Sequence, residues 1–372
     1  MLFRSKDYHQ TDLAVQAWVM RNAGIDIGSL AIRRIDNQFI YAGDGRYAGL
    51  LTEVPMDATV TPLIEQVPAW VAAARATLGG PEPDIDIGAH CSSPFPCPYY
   101  DQCLAQHPRA DYPVELLPNA RKTIDALLAA GYRDLREVPE GRIPSPRLER
   151  IRRITAAGKA ELDPRARKTL ATKGWPRYYL DFETIQFAIP IWAGKRPYQA
   201  LPFQWSCHMQ QADGRIEHRE FLDLSGEPPL TKFLMTLLEA LGDDGPVFVW
   251  SPFERTQLEA LRRDFPESAT AVDRVIDRLV DLLPLTREHY YHPDMRGSWS
   301  IKNVLPTMDP SLSYDDLDEV KEGGGAMLAY LEAIDASTSA VRREAIRSSL
   351  LTYCKRDTEA LVKVAAFLSG SH

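Results

Sequence analysis

Asp181 and Glu183 stand two residues apart inside the otherwise apolar stretch YYLDFETI, residues 178–185. On a strand, residues i and i+2 share a face. Both carboxylates would then point one way, with Leu180, Phe182 and Thr184 on the other side. Two carboxylates that close repel each other and are costly to desolvate. A divalent cation removes both difficulties, and hard oxygen ligands suit magnesium or manganese. The pair therefore suggests a metal-dependent phosphoryl-transfer site. The plain alternative is an exposed strand end with two ordinary acids.

Further acids fall where such a site needs them. Glu254 sits in the first turn of a helix expected to follow the short apolar strand Val247–Trp250. In open α/β sheets the carboxyl ends of strands carry the site. Glu259, Asp264 and Glu267 lie farther along, and Asp281 follows a helical run over 272–279. Tyr353 and Asp357 are four apart in a long helical pattern over 340–368, hence on one face. Asp357 would complete a ligand set of Asp181, Glu183 and Glu254, and the Tyr353 hydroxyl would hold the attacking water. Two cations about 3.5–4 Å apart activate water and stabilise a leaving oxygen, so no protein nucleophile is needed. The sequence has no G-x-S-x-G elbow and no Walker loop, which argues against serine hydrolysis and nucleotide-driven motion.

A second set of potential ligands lies earlier. Cys91, Cys97 and Cys103 are spaced by five residues each, with prolines between them. Three thiolates suit a soft metal or an iron–sulfur cluster, with one ligand short of four. His90 and His107 are the candidates for a zinc alternative. Three free cysteines in a proline-rich loop is the other reading. The odd total of five argues against a disulfide scaffold.

The elements that must position these residues follow the chain. Residues 12–20 read as a helix, 29–34 and 38–42 as two strands joined at Asp36-Asn37, and 63–78 as a helix. A helix is expected over 114–130, then short helices over 146–156 and 164–170. Nine basic residues make 142–168 the most basic part: Arg142, Arg147, Arg150, Arg152, Arg153, Lys159, Arg165, Arg167 and Lys168. They suit a nucleic-acid backbone or a solvated linker equally. Strands are expected over 178–185, 202–209 and 215–222, then a helix over 230–241, the strand 247–250 and a helix starting at Ser251-Pro252. This β-β-β-α-β-α order is that of a ribonuclease-H-like α/β domain. In the stretch GSWSIKNVLP, residues 297–306, Ile301 and Leu305 read as core. Trp299 and Lys302 suit either the core or a stacked base and a phosphate.

Size and charge set the outer limits. The 372 residues suffice for more than one domain. A net charge of −8 argues against a generally basic DNA-coating protein, though a metal site can meet phosphate through its ions. No apolar run is long enough for a transmembrane helix and no signal core is evident, so a cytoplasmic location without membrane contact is the default.

Taken together, three motifs resemble those of the DnaQ-like exonuclease superfamily: Asp181-x-Glu183, Phe253-Glu254-x-x-x-Leu258 and Tyr353-x-x-x-Asp357. The tyrosine resembles its tyrosine-type (DEDD) branch, which removes nucleotides from 3′ ends with two magnesium or manganese ions. Glu254 stands where most members have aspartate, and Trp250 where asparagine is usual. The stretches LDFET, PFQWS, SPFE, GSWSIK and YCKRD resemble more closely the bacterial domain-of-unknown-function family numbered 2779, over about 175–368. That family usually has glutamate in the second motif. Residues 1–108 resemble the end of a RecB-like PD-(D/E)xK nuclease domain with an iron–sulfur cluster. Gln16 falls on its glutamine helix, and Cys91, Cys97 and Cys103 match the three downstream cluster cysteines. The resemblance implies that the first cluster cysteine and the catalytic carboxylates would lie upstream. This part is thus expected to be a truncated remnant with no second nuclease activity and an incomplete 4Fe-4S cluster. The expected division is the remnant at 1–108, a basic helical linker at 109–174 and a DnaQ-like 3′–5′ exonuclease domain at 175–372. The expected partner is nucleic acid, as single-stranded DNA or RNA 3′ ends. A non-catalytic nucleic-acid-binding scaffold and an oligonucleotide phosphodiesterase are the alternatives.

Overall fold

A computed structural model of the protein describes residues 6–85, 87–106, 110–312 and 323–370. The chain forms two compact units. The first comprises Met1–Arg109 and Phe187–Tyr198, and the second Ala110–Gln186 and Gln199–His372.

The first unit contains α1 (Asp7–Asn22), the antiparallel pair β1 (Ala31–Ile35) and β2 (Leu51–Pro55), α2 (Asp57–Ile64), α3 (Val67–Gly79) and α4 (Tyr100–Gln106). Its core is small: Ala14 and Ala17 of α1 meet Leu30, Met56, Val60, Ile64 and Val67. Two expectations change here. The partner of β1 is Leu51–Pro55, not 38–42. The Tyr41 amide donates to the Lys195 carbonyl and its own carbonyl accepts from Gly194, so this backbone is spent on the 187–198 segment. The helix expected over 63–78 is broken between Ile64 and Val67. Pro68 has no N–H to give and its ring opposes the Ile64 carbonyl.

The second unit begins with the stretch expected to be a linker. Its helices α5 (Arg121–Ala129), α6 (Pro146–Ala157) and α7 (Arg165–Ala171) replace the single helix expected over 114–130 and match the two short ones after it. Pro118 and Asn119, the latter at φ +53°, end the first turn of that stretch. Val114, Leu127, Ile151, Ile154 and Leu170 enter the same core as Tyr179, Phe248 and Leu361. Residues 110–174 are therefore part of this unit's packing, because their apolar residues have nowhere else to be buried. Five of the nine basic residues are also used internally. Arg150 holds Glu161 and the Arg287 and Glu288 carbonyls. Arg152 holds Glu149 and the Val138 carbonyl. Arg153 meets Glu161, Arg165 meets Asp163, and Arg147 lies over the Trp299 ring.

A two-residue strand β3 (Glu161–Leu162) precedes the main sheet. That sheet holds β4 (Arg177–Gln186), β5 (Ala200–Gln210), β6 (Ile216–Leu222), β7 (Val247–Val249) and β8 (Leu279–Asp281). Its order is β6-β5-β4-β7-β8. β5 runs antiparallel to both of its neighbours, β4 and β6, while β7 and β8 run parallel to β4. The connecting helices are α8 (Leu230–Leu241), α9 (Phe253–Asp264) and α10 (Ala269–Asp277). After β8 come α11 (Leu282–His289), β9 (Tyr290–Tyr291), α12 (Ile301–Met308), α13 (Gly323–Ile334) and the 29-residue α14 (Ala340–Leu368). The fold is thus α/β, with a mixed five-stranded sheet and flanking helices. The helical run expected over 272–279 ends at Asp277, and Leu279–Asp281 extends the sheet. Three residues are too few for strand alternation to register in a sequence.

One turn has little tolerance. Gly297 sits at φ +77°, and a Cβ there would stand 1.8 Å from the Leu116 carbonyl oxygen. Gly158, the C-cap of α6, has φ +64° but open space around it. Gly297→Ala is therefore expected to lower stability by more than about 2 kcal/mol and Gly158→Ala by about 1 kcal/mol. Urea or thermal denaturation of both variants checks the ranking, and equal losses would contradict the close approach.

Candidate functional site

The site is built on the middle strand and the last helix. β4 carries Asp181 and Glu183, opposite Ser206 and Gln204 of β5. Cross-strand partners face the same side of a sheet. Gln204 uses that side to donate to the Leu350 carbonyl of α14 at 2.8 Å. Ser206 hydrogen-bonds Thr358 of α14 and His218 of β6, each at 2.9 Å, and His208 meets the same Thr358 hydroxyl at 2.8 Å. Burial, foremost, pushes both histidines down to about 4, so the network is uncharged near neutrality. It clamps α14 over the acidic pair. The β4–β5 register shifts between Glu183 and Thr184, where Phe203 is the extra residue. Such bulges re-aim side chains near sites.

Clamped this way, α14 brings Asp357 to the strand. One oxygen each from Asp181, Glu183 and Asp357 lie within 4.8 Å of one another. The same three residues line a cavity of about 340 Å³ with Tyr353, Lys302, Trp250, Phe253 and Met327. Tyr353 and Asp357 thus share the cavity face, as their spacing predicts. Glu254, in the first turn of α9, stands deeper. It is 3% exposed, and its Oε2 is buried without a hydrogen-bond partner. It is outside the tight group of three, yet close enough to act on it by charge.

The electrostatics are those of crowded, dry acids. Burial first, then Asp357, Glu254 and Glu183, raise Asp181 well above the usual carboxylate range. Burial and Asp357 raise Glu183, with Lys302 pulling the other way. Burial pushes Glu254 up to about 8, helped by Asp281 and Asp357 and opposed by its own backbone N–H. Burial and the three neighbouring acids also raise Tyr353, which keeps its proton throughout the physiological range.

Residues 178–300 match the model of a family described as a domain of unknown function (DUF2779). The resemblance to this family is borne out over that segment, which contains Asp181, Glu183 and Glu254. Tyr353 and Asp357 lie beyond its end. No curated protein and no solved structure matches the chain.

Other sequence candidates separate cleanly. Trp299 is 5% exposed, donates its indole N–H to the Tyr290 carbonyl and packs on Tyr291. It is a core residue. Lys302 instead faces the cavity, its Nζ 5.3 Å from the centre of the Tyr353 ring. Leu305 is core as expected, while Ile301 is half-buried and lines the cavity. Glu359 pairs with Arg356. Cys354 was not singled out by the sequence, yet its Sγ lies 3.6 Å from Asp181 Oδ2. Its neighbours in YCKRD gave it no helical-face argument of its own. In the first unit, Cys91 is buried, while Cys97 and Cys103 are half-buried. The Cys97 amide donates to the Cys91 carbonyl at 2.8 Å. Among the described residues, these thiols form no group of three within 4.8 Å, and no histidine or acid joins them in one. His90 is exposed and His107 lies outside the described residues. Three thiols fall one short of the usual four ligands, so no role is assigned to them. Gln16 bonds Asp12 of its own helix.

The acids set a pH dependence. A carboxyl raised in the folded state binds its proton more tightly there than when unfolded. Its contribution to stability is present below the unfolded value and is lost as pH rises through the folded one. For Glu254 that window runs from 4.5 to about 8. Metal-free protein is expected to lose thermal stability steadily across it, and Glu254→Gln to flatten the slope and raise the melting temperature at its alkaline end. Saturating Mn²⁺ should remove the loss. A melting temperature that rises with pH without metal would refute this electrostatic picture.

Proposed function

We propose that this protein is a divalent-metal-dependent 3′–5′ exonuclease acting on DNA or RNA. The observation that carries the reading is the convergence of Asp181, Glu183 and Asp357, with the neutral Tyr353 hydroxyl beside them in one cavity. The sheet order and strand directions support a ribonuclease-H-like fold for this unit, with the acids at the middle strand.

The residues suit magnesium or manganese. Every donor is a carboxylate oxygen, and the buried, unpartnered Glu254 Oε2 is an atom that lacks a positive charge. Asp181, Glu183 and Asp357 would hold the metal, with Glu254 completing the set. When bound, the metal supplies activation of water and charge stabilisation at the phosphate. The chain does the rest. Tyr353 retains its proton and orients the attacking water by accepting or donating one hydrogen bond. Lys302 presents a cation at the cavity wall, where it meets a non-bridging phosphate oxygen. Trp250, Phe253 and Met327 offer an apolar wall for a base.

The test is digestion of 3′- and 5′-labelled single-stranded DNA and RNA with Mn²⁺. Wild type is expected to shorten one or both polymers stepwise from the 3′ end. Asp181→Asn and Asp357→Asn should lose about a thousandfold or more of the rate, and Tyr353→Phe about ten- to a hundredfold. Cleavage of only the shortest oligonucleotides would redirect the reading to an oligonucleotide phosphodiesterase. No cleavage, with no rise in melting temperature on adding Mn²⁺, would replace it with a binding or scaffold role.

A further inference from the structure

Ser251 occupies a backbone conformation that residues with a side chain rarely adopt, at φ +105°. It lies between β7 and α9, three residues before Glu254. A strained non-glycine residue at such a place persists only where its surroundings hold it. Here the hold is visible. The Ser251 amide donates to Asp281 Oδ1 at 2.9 Å. Asp281 ends β8, and in the parallel β7–β8 register it stands beside Val249. The same Oδ1 accepts the Leu283 amide at 2.9 Å, which caps α11 and keeps the carboxylate from turning away. On the other side of the turn, Ser251 Oγ accepts the Phe253 amide at 3.2 Å, and the Pro252 carbonyl accepts from Thr256. The turn is thus tied to the sheet through one carboxylate oxygen and to the start of α9 through one hydroxyl. Glu254 is the side chain delivered by that start, with its Oε2 buried and unpartnered.

We infer that Asp281 is a positioning residue, which holds the strained Ser251 turn so that Glu254 is presented to the acidic cluster. The inference rests on the exonuclease reading for its functional consequence, but not for its geometry. A helix cap alone would need only the Leu283 bond. The distinguishing feature is the second bond, to an amide whose backbone is strained. Asparagine at 281 keeps an oxygen acceptor and should keep the turn. Alanine loses it, and glycine at 251 adopts the same φ without strain.

The experiment uses the full chain with four variants: Asp281→Asn, Asp281→Ala, Ser251→Gly and the Ser251→Gly/Asp281→Ala double. Mn²⁺ binding is measured by calorimetry, 3′-end cleavage at saturating Mn²⁺, and melting temperature without metal. Asp281→Ala is expected to weaken Mn²⁺ binding and slow cleavage by about tenfold or more, with Asp281→Asn within about threefold of wild type. The double variant should regain most of both losses. An Asp281→Ala protein that binds and cleaves like wild type, or a double variant as impaired as the single, would overturn the inference. If wild type neither binds Mn²⁺ nor cleaves, the exonuclease reading fails and the melting temperatures decide the positioning claim. Ser251→Gly should then stabilise the alanine variant more than it stabilises wild type. Equal effects in both backgrounds would overturn the claim.

Discussion

The organising constraint is repulsion among acids that the fold will not let separate. Asp181, Glu183 and Asp357 converge within 4.8 Å, and Glu254 adds its charge from a buried position behind them. Left ionised and dry, such a group opposes folding. The hydrogen bonds between β5 and α14 hold it together, and protons or cations can restore the balance. Lys302 supplies part of that positive charge. The rest of the unit can be understood as what is needed to bring these side chains together and hold them there.

The clamp between sheet and α14 is the central part of that scaffold. Gln204, Ser206 and His208 alternate along β5 and face the helix, and each is hydrogen-bonded to it directly or through Thr358. Gln204 and Ser206 are also the cross-strand partners of Glu183 and Asp181. One strand face therefore sets both the height of the acids and the rotation of the helix that brings Asp357. A helix turned by one residue, about 100°, would carry Asp357 and Tyr353 out of the cavity together. Neutral histidines suit this role, since a charge there would be buried beside Lys355.

The basic stretch before the sheet has a related lesson. Arg150, Arg152, Arg153 and Arg165 spend their guanidinium groups on nearby acids and carbonyls, and Arg147 stacks on the buried Trp299. A run of arginines can read as a nucleic-acid track, yet planar forks are also well suited to tying helix ends and strand ends together. Here Arg150 and Arg152 are committed to such ties, while Arg147, Arg153 and Arg165 make theirs at the surface. Among the described residues that line the acidic cavity, the positive charge comes from Lys302, far along the chain.

The sequence by itself determined the period-two acids of β4, the first-turn position of Glu254, and the shared face of Tyr353 and Asp357. These are local facts, set by strand and helix repeats, and they hold wherever the elements go. The order of the strands β4, β5 and β6 and the length of α14 were legible for the same reason. What only the tertiary structure decided is non-local. Leu279–Asp281 became a strand because β7 was there to pair with it. The apolar residues of 110–174 became core because they met a cluster that also holds Tyr179, Tyr290 and Leu361. Trp299 and Lys302, three residues apart, parted because one side chain met Tyr290 and Tyr291 while the other met the cavity. The Glu254 carboxyl stands back from the other three, and Cys354 touches Asp181, for reasons no spacing encodes. Such outcomes depend on which distant surface a side chain meets, and a linear pattern carries the period of an element but not its neighbours.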